Sequence, residues 1–188
     1  MSALTISQSA GPEESEKVRE TARLLMILDV NGVIVKTQGK GRYSVRPGVK
    51  SFLAQLHELI KQGQIELAFW TSKPSDTAEP ILQDLVPKDL LDKTLFIWYR
   101  EACTPTVIDG NPFHTIKDLE QVWMTFPQFS KKNTFLVDDT PSKCPDQPDN
   151  LIIAPPYLGP RNAPNDAGLT TIFRDITSKI EEAKGASD

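Results

Sequence analysis

Leu24-Leu25-Met26-Ile27-Leu28-Asp29-Val30-Asn31-Gly32 is the stretch on which the fold turns. Five consecutive apolar residues ending in a polar turn have the length and character of a fully buried strand. Asp29 then stands at the tip of that strand, a place suited to chemistry. The next polar position carries an amide, Asn31, in place of a second carboxylate, so the chemistry open to the site hinges on that one side chain.

Outward from this strand, apolar runs alternate with amphipathic stretches. Further strands are expected at 65–71, 94–99, 133–138 and 151–154. Between the first two, Val49, Phe52, Leu53, Leu56, Leu59 and Ile60 follow helical spacing, with Pro47 suited to the first turn and Gly63 to the stop. Other helices are expected at 76–85, 117–125 and 170–184. Strand–helix alternation of this kind predicts an α/β fold, a Rossmann-like, mostly parallel sheet with helices on both faces. Segments 36–46, 100–116 and 140–168 lack the periodicity for long elements. The last is dense in Pro, Asn, Asp and Gly, as in a structured loop over the sheet edge. Residues 1–22, rich in Ser, Glu, Gly and Pro, are expected to form a mobile tail, leaving 23–188 as one domain.

Composition narrows the function classes. The chain has 188 residues, enough for one well-cored domain, and a net charge of −4, which argues against wholesale nucleic-acid binding by a basic surface. No apolar stretch approaches the roughly 18 residues of a membrane span. Cys103 and Cys144 form neither a disulfide framework nor metal-type spacing, which points to a reducing interior, cytoplasm or nucleus. Glu13, Glu14, Glu16 and Glu20 argue against a secretory or transit segment.

In a parallel sheet, ligands bind beyond the carboxyl ends of the strands. The first expected strand ends in Asp29, the second in Thr71-Ser72 and the fourth in Asp138-Asp139, while Lys117 adds a cation near the start of a helix. Each pair alone suits ordinary turn or helix-start chemistry. In this order they supply what phosphoryl transfer to a carboxylate needs. Asp29 is the candidate nucleophile, and a carboxylate-held Mg²⁺ neutralises charge as anion approaches anion. Thr71 and Ser72 hold phosphate oxygens, and Lys117 balances the charge that builds during transfer. The spacings are 42, 46 and 21 residues from Asp29 to Thr71, Lys117 and Asp138 in turn.

These segments resemble the haloacid dehalogenase superfamily. Within it the chain is similar to the RNA polymerase II C-terminal-domain phosphatases and small C-terminal-domain phosphatases, the NLI-interacting factor-like branch. The similarity lies in the first stretch quoted and in Arg46-Pro47-Gly48-Val49, Phe69-Trp70-Thr71-Ser72, Tyr99-Arg100-Glu101-Ala102-Cys103, Ile116-Lys117-Asp118-Leu119, Leu136-Val137-Asp138-Asp139-Thr140-Pro141 and Gln147-Pro148-Asp149-Asn150. It spans roughly residues 24–154. It implies a small insert between the second and third motifs, Mg²⁺ dependence and an aspartyl-phosphate intermediate. It also implies Asp29 as nucleophile and metal ligand, Thr71 and Lys117 on phosphate, Asp139 on the metal with Asp138 beside it, and the backbone carbonyl of Asn31 on the metal.

The chain departs from that family at Asn31, where active members carry the acid/base Asp, and at Val33, where they usually carry Thr. Asn has no ionisable proton near neutral pH, so it can neither protonate a leaving alkoxide nor activate water. Three functions follow as expectations. One is a degenerate phosphatase that keeps its metal and phosphate pocket and acts by binding a protein or phosphopeptide partner. Another is a slow or specialised Mg²⁺-dependent phosphatase, with Glu101 or Asp76 as substitute base. The third is a structural component of a larger assembly.

Overall fold

The computed structural model describes residues 23–39, 41–108 and 111–185. The expected tail at 1–22 lies outside the described residues. Five strands form one sheet in the order β5-β4-β1-β8-β9: β1 (Leu24–Leu28), β4 (Ile65–Trp70), β5 (Ile97–Trp98), β8 (Thr134–Asp138) and β9 (Leu151–Ile153). Every pairing in it is parallel.

The β1 sequence shows why the sheet is covered on both sides. Leu24, Met26 and Leu28 pack into one core with α1 (Val49–Lys61), α2 (Ser75–Leu85), α3 (Lys88–Leu91) and α5 (Gly168–Gly185). Leu25 and Ile27 point to the opposite core, with Trp70, Leu119 and Val122, the last two on α4 (Leu119–Thr125). Alternation across a strand converts a continuous apolar run into two cores.

The chain runs from β1 to β4 on one side and later crosses to β8 on the other. The strand order therefore reverses around β1, where open α/β sheets place their binding crevice.

Four local expectations need correction. The 36–46 stretch forms an antiparallel hairpin, β2 (Val35–Gly39) with β3 (Arg42–Val45). The 100–116 stretch contains a second, β6 (Thr104–Ile108) with β7 (Asn111–Ile116), which lies between Thr71 and Lys117. Both hairpins are half-exposed ribbons whose mixed polar sequences carry weak period-two signals. The strand expected at 94–99 shrinks to the two residues of β5, although Leu95 and Phe96 just ahead of it also bond to Leu67 and Phe69 of β4. The helix expected at 117–125 begins at Leu119, with Asp118 as its cap accepting from the Glu120 N–H at 3.1 Å. The 140–168 segment is the expected structured loop: short 3₁₀ turns at Pro141–Lys143, Pro148–Asn150 and Pro160–Asn165, interrupted by β9. Among the described residues, no helix is long and apolar enough to cross a membrane.

Candidate active site

Asp29, Thr71 and Asp138 come from the carboxyl ends of β1, β4 and β8, three adjacent strands. Register brings the ends together, since Leu28 pairs with both Phe69 and Val137. Lys117 follows directly on β7 and precedes the Asp118 cap, so its side chain enters the same crevice. Its backbone is tied to the β8 loop, the Lys117 N–H donating to the Lys143 carbonyl at 2.6 Å.

Lys117 is fully buried and donates to Asp29 Oδ1 and Asp138 Oδ2, both at 2.6 Å. Burial by itself would pull the lysine pKa down, but the two carboxylates outweigh that and hold it above the ordinary lysine range. Asp29 moves the other way from a simple ion-paired acid. Burial pushes it up to about 7, with Lys117 opposing and Asp138 and Asp139 reinforcing the rise. Asp139 is also raised, first by burial and then by Asp138. One lysine therefore does not neutralise the three carboxylates.

Carboxylate oxygens of Asp29, Asp138 and Asp139 lie within 4.8 Å of one another. This donor set, all hard oxygen with an excess of negative charge, suits a small divalent cation such as Mg²⁺. Asp139 is seated by Gly32, whose φ of +94° forms the turn after β1; a Cβ there would lie 2.1 Å from Asp139 Oδ2. That turn is itself core: Val30, Val33 and Ile34 are buried. Val33 thus serves packing, and its carbonyl accepts from Arg46 Nη1 at 3.0 Å.

Asn31 sits half-exposed in the same turn. Its Oδ1 accepts both the Thr37 N–H at 2.9 Å and the Thr37 hydroxyl at 2.7 Å, tying the turn to β2. Among the described residues its Nδ2 has no partner.

Thr71 is buried and its Oγ1 accepts from the Lys73 N–H at 3.3 Å. The Ser72 hydroxyl faces Thr115 Oγ1 at 3.5 Å and Cys103 Sγ at 4.0 Å. All seven residues expected at the site thus lie on the sheet edge where the strand order reverses. The substitute bases do not join them in any hydrogen bond: Glu101 accepts from Ser75, and Asp76 from Thr77.

With this geometry in place, comparison with known proteins is decisive on ancestry. The sequence matches the NLI interacting factor-like phosphatase description over residues 5–186. The chain belongs to the NLI interacting factor-like phosphatase family. Its fold is that of the haloacid dehalogenase phosphatases.

Solved structures agree on this fold. A fission yeast Fcp1 variant bound to beryllium fluoride, an RNA polymerase II CTD phosphatase, is 16% identical with a TM-score of 0.52, the match covering 87% of this chain and 52% of that one. A second Fcp1 structure is 18% identical with a TM-score of 0.51, covering 89% and 54%. The N-terminal part of a Bacteroides fragilis protein, containing a phosphatase domain complexed with Mg, is 14% identical with a TM-score of 0.54, covering 81% and 40%. The chain spans about half the length of the two Fcp1 structures. No curated protein matches.

The contacts of several residues around the site escaped the sequence argument, Arg46 having entered it only as part of a motif. Arg46 is buried and bonds Asp166 through Nε at 2.9 Å and Nη2 at 2.8 Å, clamping the 140–168 loop against the β1 turn. Thr37, Thr115 and Lys143 were missed as well, since they sit in stretches with no helical or strand period. The aromatic residues Trp70 and Phe96 are core, with Phe96 stacked on Phe126 at 5.2 Å.

Proposed function

We propose that this domain is a phosphomonoester receptor on a phosphatase scaffold, acting by binding a phosphorylated protein and turning it over slowly or not at all. The observation that carries this is Asn31. It stands beside the nucleophile position, and its one acceptor oxygen is already occupied twice by Thr37. An amide held in that way offers hydrogen-bond donors but no transferable proton and no base. Loss of general acid–base help costs about 10²–10⁴ in rate, and the upper end applies to an alkyl ester with its poor leaving group.

The binding half of the site is supported by what remains. Asp29, Asp138, Asp139 and the Asn31 backbone carbonyl would hold Mg²⁺, which when bound supplies positive charge beside the phosphate. Thr71, Ser72 and Lys117 would hold phosphate oxygens, Lys117 staying protonated throughout. Asp29 retains Oδ2 free of hydrogen bonds from the described residues, so its nucleophilic oxygen is available.

That retained oxygen favours a second reading: slow Mg²⁺-dependent turnover of aryl or acyl phosphates, whose good leaving groups need no acid. In that case an aspartyl-phosphate on Asp29 would form readily and hydrolyse slowly.

Calorimetry with a phosphoserine peptide and Mg²⁺, alongside phosphate release from the same peptide, tests the proposal. Saturable binding with negligible release is expected. Rapid release by the wild type, or no binding with or without Mg²⁺, would contradict it.

A further inference from the structure

Lys143 is a cation the phosphate chemistry does not use. It belongs to the 3₁₀ turn that follows the Asp138-Asp139 strand end, and it is half-buried. Its Nζ donates to the Thr115 carbonyl at 2.8 Å and the Thr115 hydroxyl at 3.3 Å. Two of its three N–H donors are thereby spent on neutral groups, and among the described residues no carboxylate lies within ion-pair distance of it.

Such a residue costs stability as it stands. Partial burial without a carboxylate in contact is unfavourable, and a second lysine nearby adds repulsion that the more distant Asp138 and Asp29 only partly offset. Burial and then Lys117 lower its pKa from the ordinary lysine value, with Asp138 and Asp29 opposing. The Thr115 carbonyl and hydroxyl it bonds are both neutral, so the charge itself has a further reason.

Its placement supplies one. The Lys143 carbonyl accepts the Lys117 N–H at 2.6 Å, which locks the two lysines side by side. Thr115, which holds the Nζ, also reaches the Ser72 hydroxyl at 3.5 Å, next to Thr71. Lys143 is therefore linked to both phosphate-holding anchors while lying outside the Asp29–Lys117–Asp138 triad. It sits on the side of the crevice bordered by the β6–β7 hairpin.

We infer that Lys143 is a specificity-determining residue that recognises a second anionic group close to the phosphate, so that the preferred ligand is a phosphopeptide with an acidic or phosphorylated neighbour. This rests on the phosphomonoester-receptor reading of the site. Ligand chemistry fits the residue: one remaining donor on a partly desolvated ammonium makes a charge-assisted hydrogen bond to a carboxylate or phosphate oxygen.

The test uses the whole chain with Mg²⁺ and three fluorescent phosphoserine peptides, with alanine flanks, with aspartate flanks, and with a neighbouring second phosphoserine. Anisotropy titrations on wild type, Lys143→Met and Lys143→Arg give the affinity ratios. Wild type is expected to prefer an anionic-flank peptide over the alanine peptide by roughly tenfold, the size of one charge-assisted hydrogen bond. Lys143→Met should bring that ratio close to one, and Lys143→Arg should keep it. The aspartate and diphosphorylated arms show which anion is preferred. Fold is checked by thermal melting; a purely structural lysine would not alter a ratio between two peptides on one folded protein. The inference is overturned by equal wild-type affinities, by a preference that survives Lys143→Met, or by equal weakening of all three peptides. If the wild type binds none of them, the receptor reading fails as well, and the two failures are thereby told apart.

Discussion

Thr37 donates two hydrogen bonds, from its backbone N–H at 2.9 Å and its hydroxyl at 2.7 Å, to the single oxygen Asn31 Oδ1. The Asn31 side chain is thus turned into a tether between the β1 turn and the β2–β3 hairpin. Among the described residues its NH₂ group is left without a partner. An amide oriented this way fits ligand retention, because it can donate to an ester oxygen without cleaving the bond.

Lys117 holds the buried charges together, and its removal should be costly. Lys117→Met leaves Asp29 and Asp138 facing each other without a cation. A loss of about 3–5 kcal/mol is expected in urea unfolding at pH 7, since breaking a buried pair strands its partner charge. Adding Mg²⁺ should recover part of that loss, by binding the folded carboxylates alone. Unchanged stability would mean that the triad is not formed in solution.

Gly32 has no tolerable substitute. At φ +94° any Cβ is strained, and it would fall 2.1 Å from Asp139 Oδ2. Gly32→Ala should push Asp139 out of the cluster and weaken Mg²⁺ binding by at least about tenfold, given the loss of one of three carboxylates. Calorimetric Mg²⁺ titration against wild type measures it.

The Arg46–Asp166 pair is a structural clamp and not a ligand site. Arg46 is bidentate to Asp166, lies 5.7 Å from the Tyr157 ring centroid, and passes so close to Gly168 that a Cβ there would meet Nη2 at 1.6 Å. Asp166→Asn should destabilise the fold by about 3–5 kcal/mol, because it leaves a buried guanidinium unpaired. Denaturant unfolding of Asp166→Asn and Gly168→Ala should show both well below wild type.

Cys144 gives a pH signature. Burial pushes its thiol from the ordinary 9.0 up to about 11, and the Sγ–H donates to the Gln147 carbonyl at 3.5 Å. An acid whose folded pKa is raised favours folding below its unfolded pKa and loses that contribution above it. The stability of wild type relative to Cys144→Ala should therefore be constant up to about pH 9 and shrink between 9 and 11. Unfolding at pH 8, 10 and 11 measures it. Alkylation at pH 8 should leave Cys144 untouched.

Much of the fold was legible because β1 announces it. A continuous apolar strand, repeated at β4 and β8 and separated by helical spacing, admits little besides a parallel sheet with two covered faces. The convergence of Asp29, Thr71 and Asp138 was legible for the same reason, since they sit where such strands end. The two hairpins were not, because ribbons such as Val35–Gly39 mix Val, Lys, Thr, Gln and Gly without a clean alternation. Nor was Lys143 distinguishable from a solvated loop lysine. Its meaning comes from Thr115 and Lys117, which lie 28 and 26 positions away and meet it only through the fold.

Asn31→Asp tests the central claim most directly. The new carboxylate would inherit the two Thr37 hydrogen bonds, adding a group able to transfer a proton together with one negative charge beside Asp29. Phosphate release from a phosphoserine peptide with Mg²⁺ is compared at equal protein concentration. A gain of at least about 10²-fold over wild type is expected, the scale of a restored general acid–base group. Wild-type release at the same rate as Asn31→Asp would contradict the account.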